Sequence, residues 1–505
     1  MCRPKPSEPD TTISRMDFTL TAANSWDFAQ LSGDFNPLHV DPVAARRLQF
    51  GGTVCHGMHQ VLKALDVAVA AGQLAPANID TLAAVFGAPL HTGSTVSVLV
   101  SNETPPQRAR LSLSTEGRPL FTLKLGLADG LPASPAPHAS EPEPSSAPLC
   151  PAFPQADALA GLADSVPLQL NLALAQSLFP ALALAPQGLQ CIADLVATTR
   201  IVGMRCPGQH SIYAELKLRR RPAPALTGAP AGLTMPYQVQ RCDPRFRSVR
   251  LAVSGAMLVG TLDAFFRAPP VAQPDLADLM QQIPAERFAG QHAMVVGGSR
   301  GLGELVAKIL LAGGARVTLT YARGQADAER IQQQARASGR NVQILSLDAS
   351  APLPQAVKTR LAAAAFSHVY HFATPQISKS PAGSWSPALF DSFCQLYLHG
   401  FAEIVRAAAP NSDGARALQV LYPSTVFLDA PPRGFSEYCA AKAAGEALCE
   451  HLALEPGIQI HKPRLPRLQT DQNSSFLGVE GDAPLPLMLA LLQTLQPEAA
   501  AKDTA

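Results

Sequence analysis

The sequence predicts three globular units, two of the α+β class followed by one of the α/β class. In each of the first two units an apolar helix is followed by several alternating strands, a pattern typical of an antiparallel sheet wrapped around one helix. In the third unit strands and helices alternate regularly, which favours a parallel, doubly wound sheet. A length of 505 residues agrees with about three domains of roughly 150 residues each.

The composition of the connecting segments predicts the domain boundaries. A run rich in Pro, Ala and Ser indicates an extended linker after the first unit, and a second Pro-rich run indicates a connector before the third. We expect an α+β unit at 1–128, a linker at 129–156, a second α+β unit at 157–267, a connector at 268–290, an α/β unit at 291–496 and a frayed tail at 497–505.

Apolar periodicity places the elements within these units. The strands expected in the two α+β units are Thr95–Ser101, Arg108–Ser114, Leu120–Leu127, Ser211–Leu218, Ser248–Val253 and Met257–Phe266. The α/β unit is expected to begin with strand Ala293–Val296, helix Gly303–Ala312, strand Ala315–Thr320, helix Ala326–Ala337 and strand Val342–Leu347.

Charge and cysteine usage exclude several classes of partner. Forty basic and 39 acidic residues give a net charge of +1, which provides no general attraction to nucleic acid or to an anionic membrane. No apolar run approaches the ~20 residues of a membrane span. The nine scattered cysteines argue against a metal site or a disulfide framework and favour a reducing, cytoplasmic location.

An aspartate and a histidine lie on either side of a proline-containing turn in the first unit. Asp34 and His39 could share one water molecule and either activate it or return its proton. A capped turn with a buried histidine is the alternative. Downstream, Gly57 precedes an apolar helix, and an amide at that helix start could polarise a carbonyl group and hold developing negative charge.

The two segments, Asp-x-Asn-x-x-His followed by His-Gly-Met, resemble the MaoC-like (R)-specific enoyl-CoA hydratases over roughly residues 18–128. That family has the hot-dog fold and adds water reversibly to a (2E)-enoyl thioester, which gives a (3R)-3-hydroxyacyl thioester. The resemblance implies that Asp34 and His39 are the catalytic pair and that Gly57 supplies the oxyanion amide. Asn36 is expected to orient the turn.

The middle unit resembles a second, divergent hot-dog unit that lacks the Asp-x-Asn-x-x-His motif. A hot-dog unit normally completes its acyl tunnel against a partner. We therefore expect a double hot dog in which the middle unit is the non-catalytic partner. His210 either contacts the ligand or is a hydrogen-bonded loop histidine.

A glycine-rich loop joins the first strand of the third unit to its first helix. Glycines in it would let the backbone turn sharply and approach a pyrophosphate, while the helix start offers free N–H groups. A tight structural turn is the alternative. The predicted cofactor-binding residues of the loop are Gly297, Ser299, Arg300, Gly301, Leu302 and Gly303.

A phenol and an amine, Tyr438 and Lys442, are spaced to share one face of a later helix. Together with the glycine spacing, this pair resembles the short-chain dehydrogenase/reductase family. The resemblance implies that Tyr438 protonates a carbonyl oxygen and that Lys442 lowers the pKa of this tyrosine and binds the nicotinamide ribose. The catalytic hydroxyl would be Thr425, which family spacing favours, or Ser424.

Residues near the strand ends bear on the choice of cofactor. No acidic residue directly follows the second strand, where NAD-binding proteins use one to hold the adenosine 2′-hydroxyl. Arg300 and Arg323 are instead placed to bind a 2′-phosphate. NADP(H) is therefore the expected cofactor. Ordinary surface charge is the alternative for the two arginines. Asp348 matches the adenine-contacting acid of the family. Residues 370–374 and Tyr397 replace its Asn-Asn-Ala-Gly segment and its relay asparagine.

These features predict a bifunctional acyl-thioester enzyme. A reductase would convert a 3-oxoacyl thioester, carried by CoA or acyl carrier protein, to the hydroxyacyl form, which the hydratase would interconvert with the enoyl form. One alternative is an active hydratase with a degenerate reductase-like domain. Another is a non-catalytic scaffold that docks acyl carriers. The oligomeric state is left open by the sequence, with a homo-oligomer as one alternative because short-chain reductases usually associate.

Overall fold

The computed structural model of the chain divides into two compact units, Met1–Pro269 and Pro270–Ala505. The structure describes residues 12–48, 50–103, 107–134, 136–139, 151–152, 154, 156–222, 234–267, 269–377, 385–409, 417–470, 474–475, 478–479 and 481–495. Within these ranges no helix has both the length and the apolar character needed to cross a bilayer.

The first unit is built on one ten-stranded antiparallel sheet with two similar halves. The first half contains β1 (Thr12–Thr19), β2 (Ile79–Val85), β3 (Thr95–Glu103), β4 (Arg108–Thr115) and β5 (Arg118–Leu127). The second contains β6 (Ala163–Pro167), β7 (Ser211–Arg220), β8 (Thr234–Asp243), β9 (Ser248–Ser254) and β10 (Leu258–Phe266).

Both halves have the same strand order. Each half has five strands, and we number them one to five by their order in the sequence. From the outer edge of the sheet to its middle, both halves place them in the order one, three, four, five, two. The two halves meet where β2 pairs with β7. The full order is β1-β3-β4-β5-β2-β7-β10-β9-β8-β6. The halves are therefore two copies of one topology in a continuous sheet.

One helix in each half is the centre of the apolar core. The helices of this unit are α1 (Ala22–Ser32), α2 (Pro37–Val40), α3 (Pro42–Ala45), α4 (Gly57–Ala70), α5 (Leu172–Leu178), α6 (Pro180–Leu184) and α7 (Gly188–Arg200). Leu62 of α4 and Leu195 of α7 are fully buried in one apolar cluster that includes strands of both halves. The two halves thus share a single core.

The second unit contains a six-stranded parallel sheet. Its strands are β11 (His292–Val296), β12 (Arg316–Tyr321), β13 (Val342–Ser346), β14 (His368–His371), β15 (Leu418–Leu421) and β16 (Ile458–His461), in the order β13-β12-β11-β14-β15-β16. The direction of winding reverses between β11 and β14, which is where open sheets of this kind bind ligands.

Helices precede, connect and follow the parallel strands. They are α8 (Leu276–Gln282), α9 (Gly301–Ala312), α10 (Gln325–Ala337), α11 (Gln355–Ala363), α12 (Pro387–Cys394), α13 (Gly400–Ala408), α14 (Ser436–Leu452) and α15 (Pro484–Thr494). A π-helical turn at Gln395–His399 separates α12 from α13, and a second one at Ile201–Arg205 extends α7 in the first unit.

The predicted strands and helices are present, with ends that differ by one or two residues. Four strands of the ten-stranded sheet were not predicted, namely β1, β2, β6 and β8. At the start of the expected linker, Arg220 donates to the Pro132 carbonyl oxygen (3.0 Å) and Ser134 exchanges two hydrogen bonds with Gln187, whereas much of the remaining linker lies outside the described residues. The expected tail at 497–505 lies outside the described residues.

Candidate active sites

The catalytic turn predicted in the first unit follows directly on α1. Gly33 ends that helix with a left-handed backbone (φ +70°). Asn36 then starts α2 by accepting a hydrogen bond from a backbone N–H through its side chain. Asp34 lies just before α2 and His39 within it, so this short helix brings the two predicted catalytic side chains to one place.

His39 is held in one tautomer by the main chain. Its Nδ1 lies 2.7 Å from the Val54 carbonyl oxygen, and because that oxygen only accepts, Nδ1 carries the hydrogen and Nε2 is the basic nitrogen. The His39 ring stacks on His56 with centroids 3.8 Å apart. Ring nitrogens of both histidines and a carboxylate oxygen of Asp34 all lie within 4.8 Å of one another.

Burial controls the protonation of this pair. It raises the pKa of Asp34, against the lowering effects of His39 and of a hydrogen bond from Thr199. It also lowers the pKa of His39, which the Asp34 carboxylate opposes. A carboxyl group with a raised pKa and an imidazole with a lowered pKa are matched for exchanging a proton through one water molecule.

The start of α4 lies beside the pair. Gly57 is the first residue of the helix, and the preceding His56 donates from Nε2 to the main-chain oxygen of Asp34 (2.9 Å). The first N–H groups of a helix have no partner within it, so the start of α4 offers them to a negatively charged oxygen. A side chain at Gly57 would lie 3.0 Å from the ring of Phe86.

Sequence analysis missed several residues that surround Asp34. His56 had a signal, because it adjoins Gly57. Thr199 and Gly203 had none, because they belong to the second half and approach Asp34 only in the folded chain. His210 is buried near this region, and burial together with Arg267 lowers its pKa to about 4.

In the second unit the glycine-rich loop follows β11 and opens α9. Gly297 has a left-handed backbone (φ +73°), and a Cβ there would lie 2.7 Å from the Ala373 nitrogen. Its N–H donates to Thr320 Oγ1 (3.1 Å) on β12. The helix begins at Gly301 and continues through Leu302 and Gly303. This glycine-rich loop at the sheet edge, followed by the start of a helix, fits a dinucleotide pyrophosphate.

The charged residues expected near the cofactor lie on this side of the sheet. Ser299 is buried and Arg300 half-buried in the loop, while Arg323 is exposed after β12. Asp348 accepts two hydrogen bonds from Ser350, which together with Arg323 hold the pKa of this carboxyl below its usual range. Arg300, Arg323 and Asp348 thus follow β11, β12 and β13, respectively.

The two candidate hydroxyls have different partners. Thr425 hydrogen-bonds the hydroxyl of Tyr438, whereas Ser424 donates to the carboxylate of Glu446. Burial raises the pKa of Tyr438 to about 12. This differs from the lowering expected from Lys442, because desolvation of the phenol is the dominant effect in the protein alone.

Lys442 lies between two aromatic rings. Its Nζ donates to the Pro423 carbonyl oxygen (2.7 Å) and lies 3.8 Å from the ring centroid of Tyr397 and 4.7 Å from that of Tyr422. Burial lowers the pKa of Lys442 to about 7. Tyr397, in the π-helical turn, hydrogen-bonds Thr374 through its hydroxyl. The residue that replaces the relay asparagine therefore contacts the predicted catalytic lysine.

Two family models match the chain at these sites. Residues 5–113 match the MaoC like domain and include the turn with Asp34 and His39 and the start of α4. Residues 291–461 match the short chain dehydrogenase model and include the glycine loop, Tyr438 and Lys442.

Individual relatives match the second unit. An Arabidopsis thaliana protein, NADPH-dependent aldehyde reductase 2, chloroplastic, is 27% identical over 183 residues, which cover 33% of this chain and 67% of the relative. A second, NADPH-dependent aldehyde reductase-like protein, chloroplastic, is 29% identical over 192 residues, 34% of this chain and 69% of the relative.

Among solved structures, a short chain dehydrogenase from Burkholderia cenocepacia J2315 in complex with NADP is 21% identical, with a TM-score of 0.37, over 42% of this chain and 93% of that one. A dehydrogenase/reductase from Sinorhizobium meliloti 1021 is also 21% identical, with a TM-score of 0.37, over 44% of this chain and 92% of that one.

Together the matched domains define an enzyme with a lyase domain and an oxidoreductase domain. The chain joins a MaoC-like domain with the hot-dog fold to a short-chain dehydrogenase domain with a Rossmann-like fold, and this confirms both resemblances.

Proposed function

We propose that the chain catalyses two consecutive reactions of acyl thioesters. The second unit reduces a 3-oxoacyl thioester to the (3R)-3-hydroxyacyl thioester with NADPH, and the first unit dehydrates this product reversibly to the (2E)-enoyl thioester. The observation that carries the proposal is the presence of Asp34 with His39 and of Tyr438 with Lys442, each pair within its matching domain. The acyl group is carried by CoA or by acyl carrier protein.

In the hydration direction, Asp34 and His39 take a proton from water as its oxygen bonds to C3 of the enoyl thioester. The pair also returns a proton to C2, so one water molecule is added in total. The Gly57 amide at the positive end of α4 stabilises the negative charge that develops on the thioester oxygen. The reverse sequence eliminates the water.

In the reductase, bound NADPH supplies the hydride for the carbonyl carbon. Tyr438 donates its phenolic proton to the carbonyl oxygen, and Thr425 orients that oxygen through its hydroxyl. Lys442 would hold the ribose of the cofactor and favours the ionised phenol that remains. Arg300 and Arg323 would bind its 2′-phosphate, which would select NADP(H) over NAD(H).

We also propose that the first unit is a double hot dog. The repeated strand order and the shared core of its two halves support this arrangement. The second half has no equivalent of the Asp34 and His39 pair in its sequence. It is therefore the non-catalytic partner against which the first half completes its acyl-binding site.

Matched variants of the two sites test the bifunctional assignment. Asp34→Asn should lower hydration of a short (2E)-enoyl-CoA by roughly 100-fold or more and leave NADPH-dependent reduction of a 3-oxoacyl-CoA unchanged. Tyr438→Phe should lower the reduction of the 3-oxoacyl-CoA and leave hydration of the enoyl-CoA unchanged. Mass spectrometry of the products distinguishes the two reactions, and each variant is the control for the other. Persistence of both reactions in both variants would contradict the proposal.

A hydratase with a non-catalytic reductase-like domain is the second candidate. The position of Tyr397 over Lys442, where the family has an asparagine, favours it. In that case the purified protein binds NADPH and hydrates enoyl-CoA but does not oxidise NADPH with any 3-oxoacyl thioester.

A further inference from the structure

The catalytic carboxylate of the first half receives a hydrogen bond from the second half. Thr199, in the last turn of α7, donates from Oγ1 to Asp34 Oδ2 over 2.7 Å. The two residues are 165 positions apart in the sequence, and they are 4% and 1% exposed. A short hydrogen bond between two buried groups fixes the direction of both.

We infer that Thr199 is a positioning residue for catalysis, which holds the Asp34 carboxylate in its reactive orientation and favours its ionised form. This inference rests on the proposed hydratase function. Its physical basis is that a hydroxyl that donates to a carboxylate stabilises the charged form relative to the protonated form.

The backbone beyond Thr199 is shaped around the same carboxylate. A Cβ at Gly203, in the π-helical turn after α7, would lie 2.3 Å from Asp34 Oδ1, so only glycine fits there. The Asn36 side chain donates to the carbonyl oxygens of Gly203 (3.2 Å) and Gln209 (3.1 Å). Contacts from the second half therefore fix both the carboxylate and the turn that carries it.

The charged and titratable groups around Asp34 come from three elements. His39 in α2 and His56 at the start of α4 face it from the first half. Arg200, beside Thr199 in α7, adds a favourable positive charge and donates from Nε to the Ser32 carbonyl oxygen (2.5 Å). Arg267 acts on His39 instead. Thr199 is thus an uncharged donor to the carboxylate, beside two histidines whose pKa values burial lowers and one arginine.

Thr199→Val tests the inference, because it keeps the shape of the side chain and removes the hydroxyl. We expect kcat/KM for hydration of a short enoyl-CoA to fall roughly tenfold to 100-fold, the effect of losing one hydrogen bond to a charged group, with the loss in kcat rather than KM. The acid limb of the pH profile should move up by about one unit. Thr199→Ser should restore both.

Thr198→Val is the matched control, because its hydroxyl donates within the same helix to the Leu195 carbonyl oxygen (2.7 Å). It should leave the pH profile in place. If Thr199→Val has the wild-type profile and kcat, or if Thr199→Ser is as impaired as the valine variant, the inference is wrong.

A measurement without turnover separates this inference from the proposed function. The Asp34 carboxyl can be titrated by 13C NMR of aspartate-labelled protein, with Asp34→Asn identifying its signal. The midpoint should rise in Thr199→Val and stay near the wild-type value in Thr199→Ser. An unchanged midpoint would overturn the role of Thr199, whereas a wild-type protein that hydrates no enoyl thioester would overturn the proposed function alone.

Discussion

Ser424 and Thr425 are adjacent in the sequence, but their side chains point to opposite sides of a two-residue strand. Thr425 contacts Tyr438, while Ser424 joins the ion pair between Glu446 and Arg464, whose shorter N–O distance is 2.7 Å. These hydrogen bonds hold the pKa of Glu446 down at about 2. Thr425 thus lies beside the proposed catalytic tyrosine, whereas Ser424 belongs to an ion-pair network.

This arrangement predicts different effects for two deletions of a hydroxyl. Thr425→Val should lower kcat for 3-oxoacyl reduction roughly 100-fold, the effect of removing one donor to a developing negative charge. Ser424→Ala should change kcat only severalfold and instead reduce stability. Steady-state kinetics together with thermal unfolding of both variants checks this, and a larger loss of kcat in Ser424→Ala would contradict it.

The residues that the sequence identified belong to compact motifs. Asp34 with His39, and Tyr438 with Lys442, lie within one turn or one helix, where spacing in the chain determines closeness in space. The choice between Ser424 and Thr425 depends on which face of a strand meets α14, and the contact of Thr199 with Asp34 depends on the packing of two halves. No local pattern contains that information.

At the scale of elements, the central helix α4 is buried on nearly every side and includes an ionisable side chain. His59 stacks on Phe28 with ring centroids 4.6 Å apart and meets Phe179 edge-on at 5.9 Å. Burial in this apolar setting, together with Lys63, lowers the pKa of His59 to about 3.

The first unit should therefore lose stability on acidification. An unfolded histidine has a pKa of about 6.5, so between that value and about 3 the unfolded chain binds a proton that folded His59 does not. At pH 5 this difference lowers the free energy of unfolding by about 2 kcal/mol relative to pH 7. Urea unfolding followed by Trp26 fluorescence in a Trp385→Phe background measures the effect.

His59→Leu is the control for this pH dependence. Other buried histidines of the first unit titrate in both proteins, so the comparison isolates His59. The variant should lose about 2 kcal/mol less than the parent between pH 7 and pH 5. An identical loss in both proteins would show that His59 does not contribute.

One strand that the sequence did not predict, β2, depends on tertiary pairing. β2 alternates only over seven residues and forms the junction of the halves through its pairing with β7, in which Thr81 lies opposite Arg219 and Val85 opposite Glu215. Its place is determined by a partner far along the chain. The parallel sheet of the second unit was easier to predict, because every strand in its first part is followed by a helix of regular length.

At the scale of the whole molecule, the two proposed active sites fall in different compact units. All residues proposed to hold NADP(H) lie between Gly297 and Lys442 in the second unit, whereas the proposed hydratase residues lie before Pro269. The tryptophans are divided in the same way, with Trp26 in the first unit and Trp385 in the second.

NADPH should therefore stabilise one unit and not the other. At 100 times its Kd, a ligand that binds only the folded state raises the free energy of unfolding by about 2.7 kcal/mol. In Trp26→Phe protein the urea transition reported by Trp385 should shift by this amount, while in Trp385→Phe protein the transition of the first unit should not move. Equal shifts in both would place the cofactor contacts elsewhere.

The repeated strand order of the first unit has a consequence for how the protein can change. In a symmetric dimer of identical chains, every substitution is present in both chains. A residue that supports the active site of the partner chain is therefore also present in the chain that carries that active site. Here the two copies are joined in one chain, and a substitution is made once. Thr199 and Gly203 can fit Asp34 while the matching positions of the first copy serve packing alone. Because of the internal repeat, the half that carries Asp34 and the half that supports it can change independently.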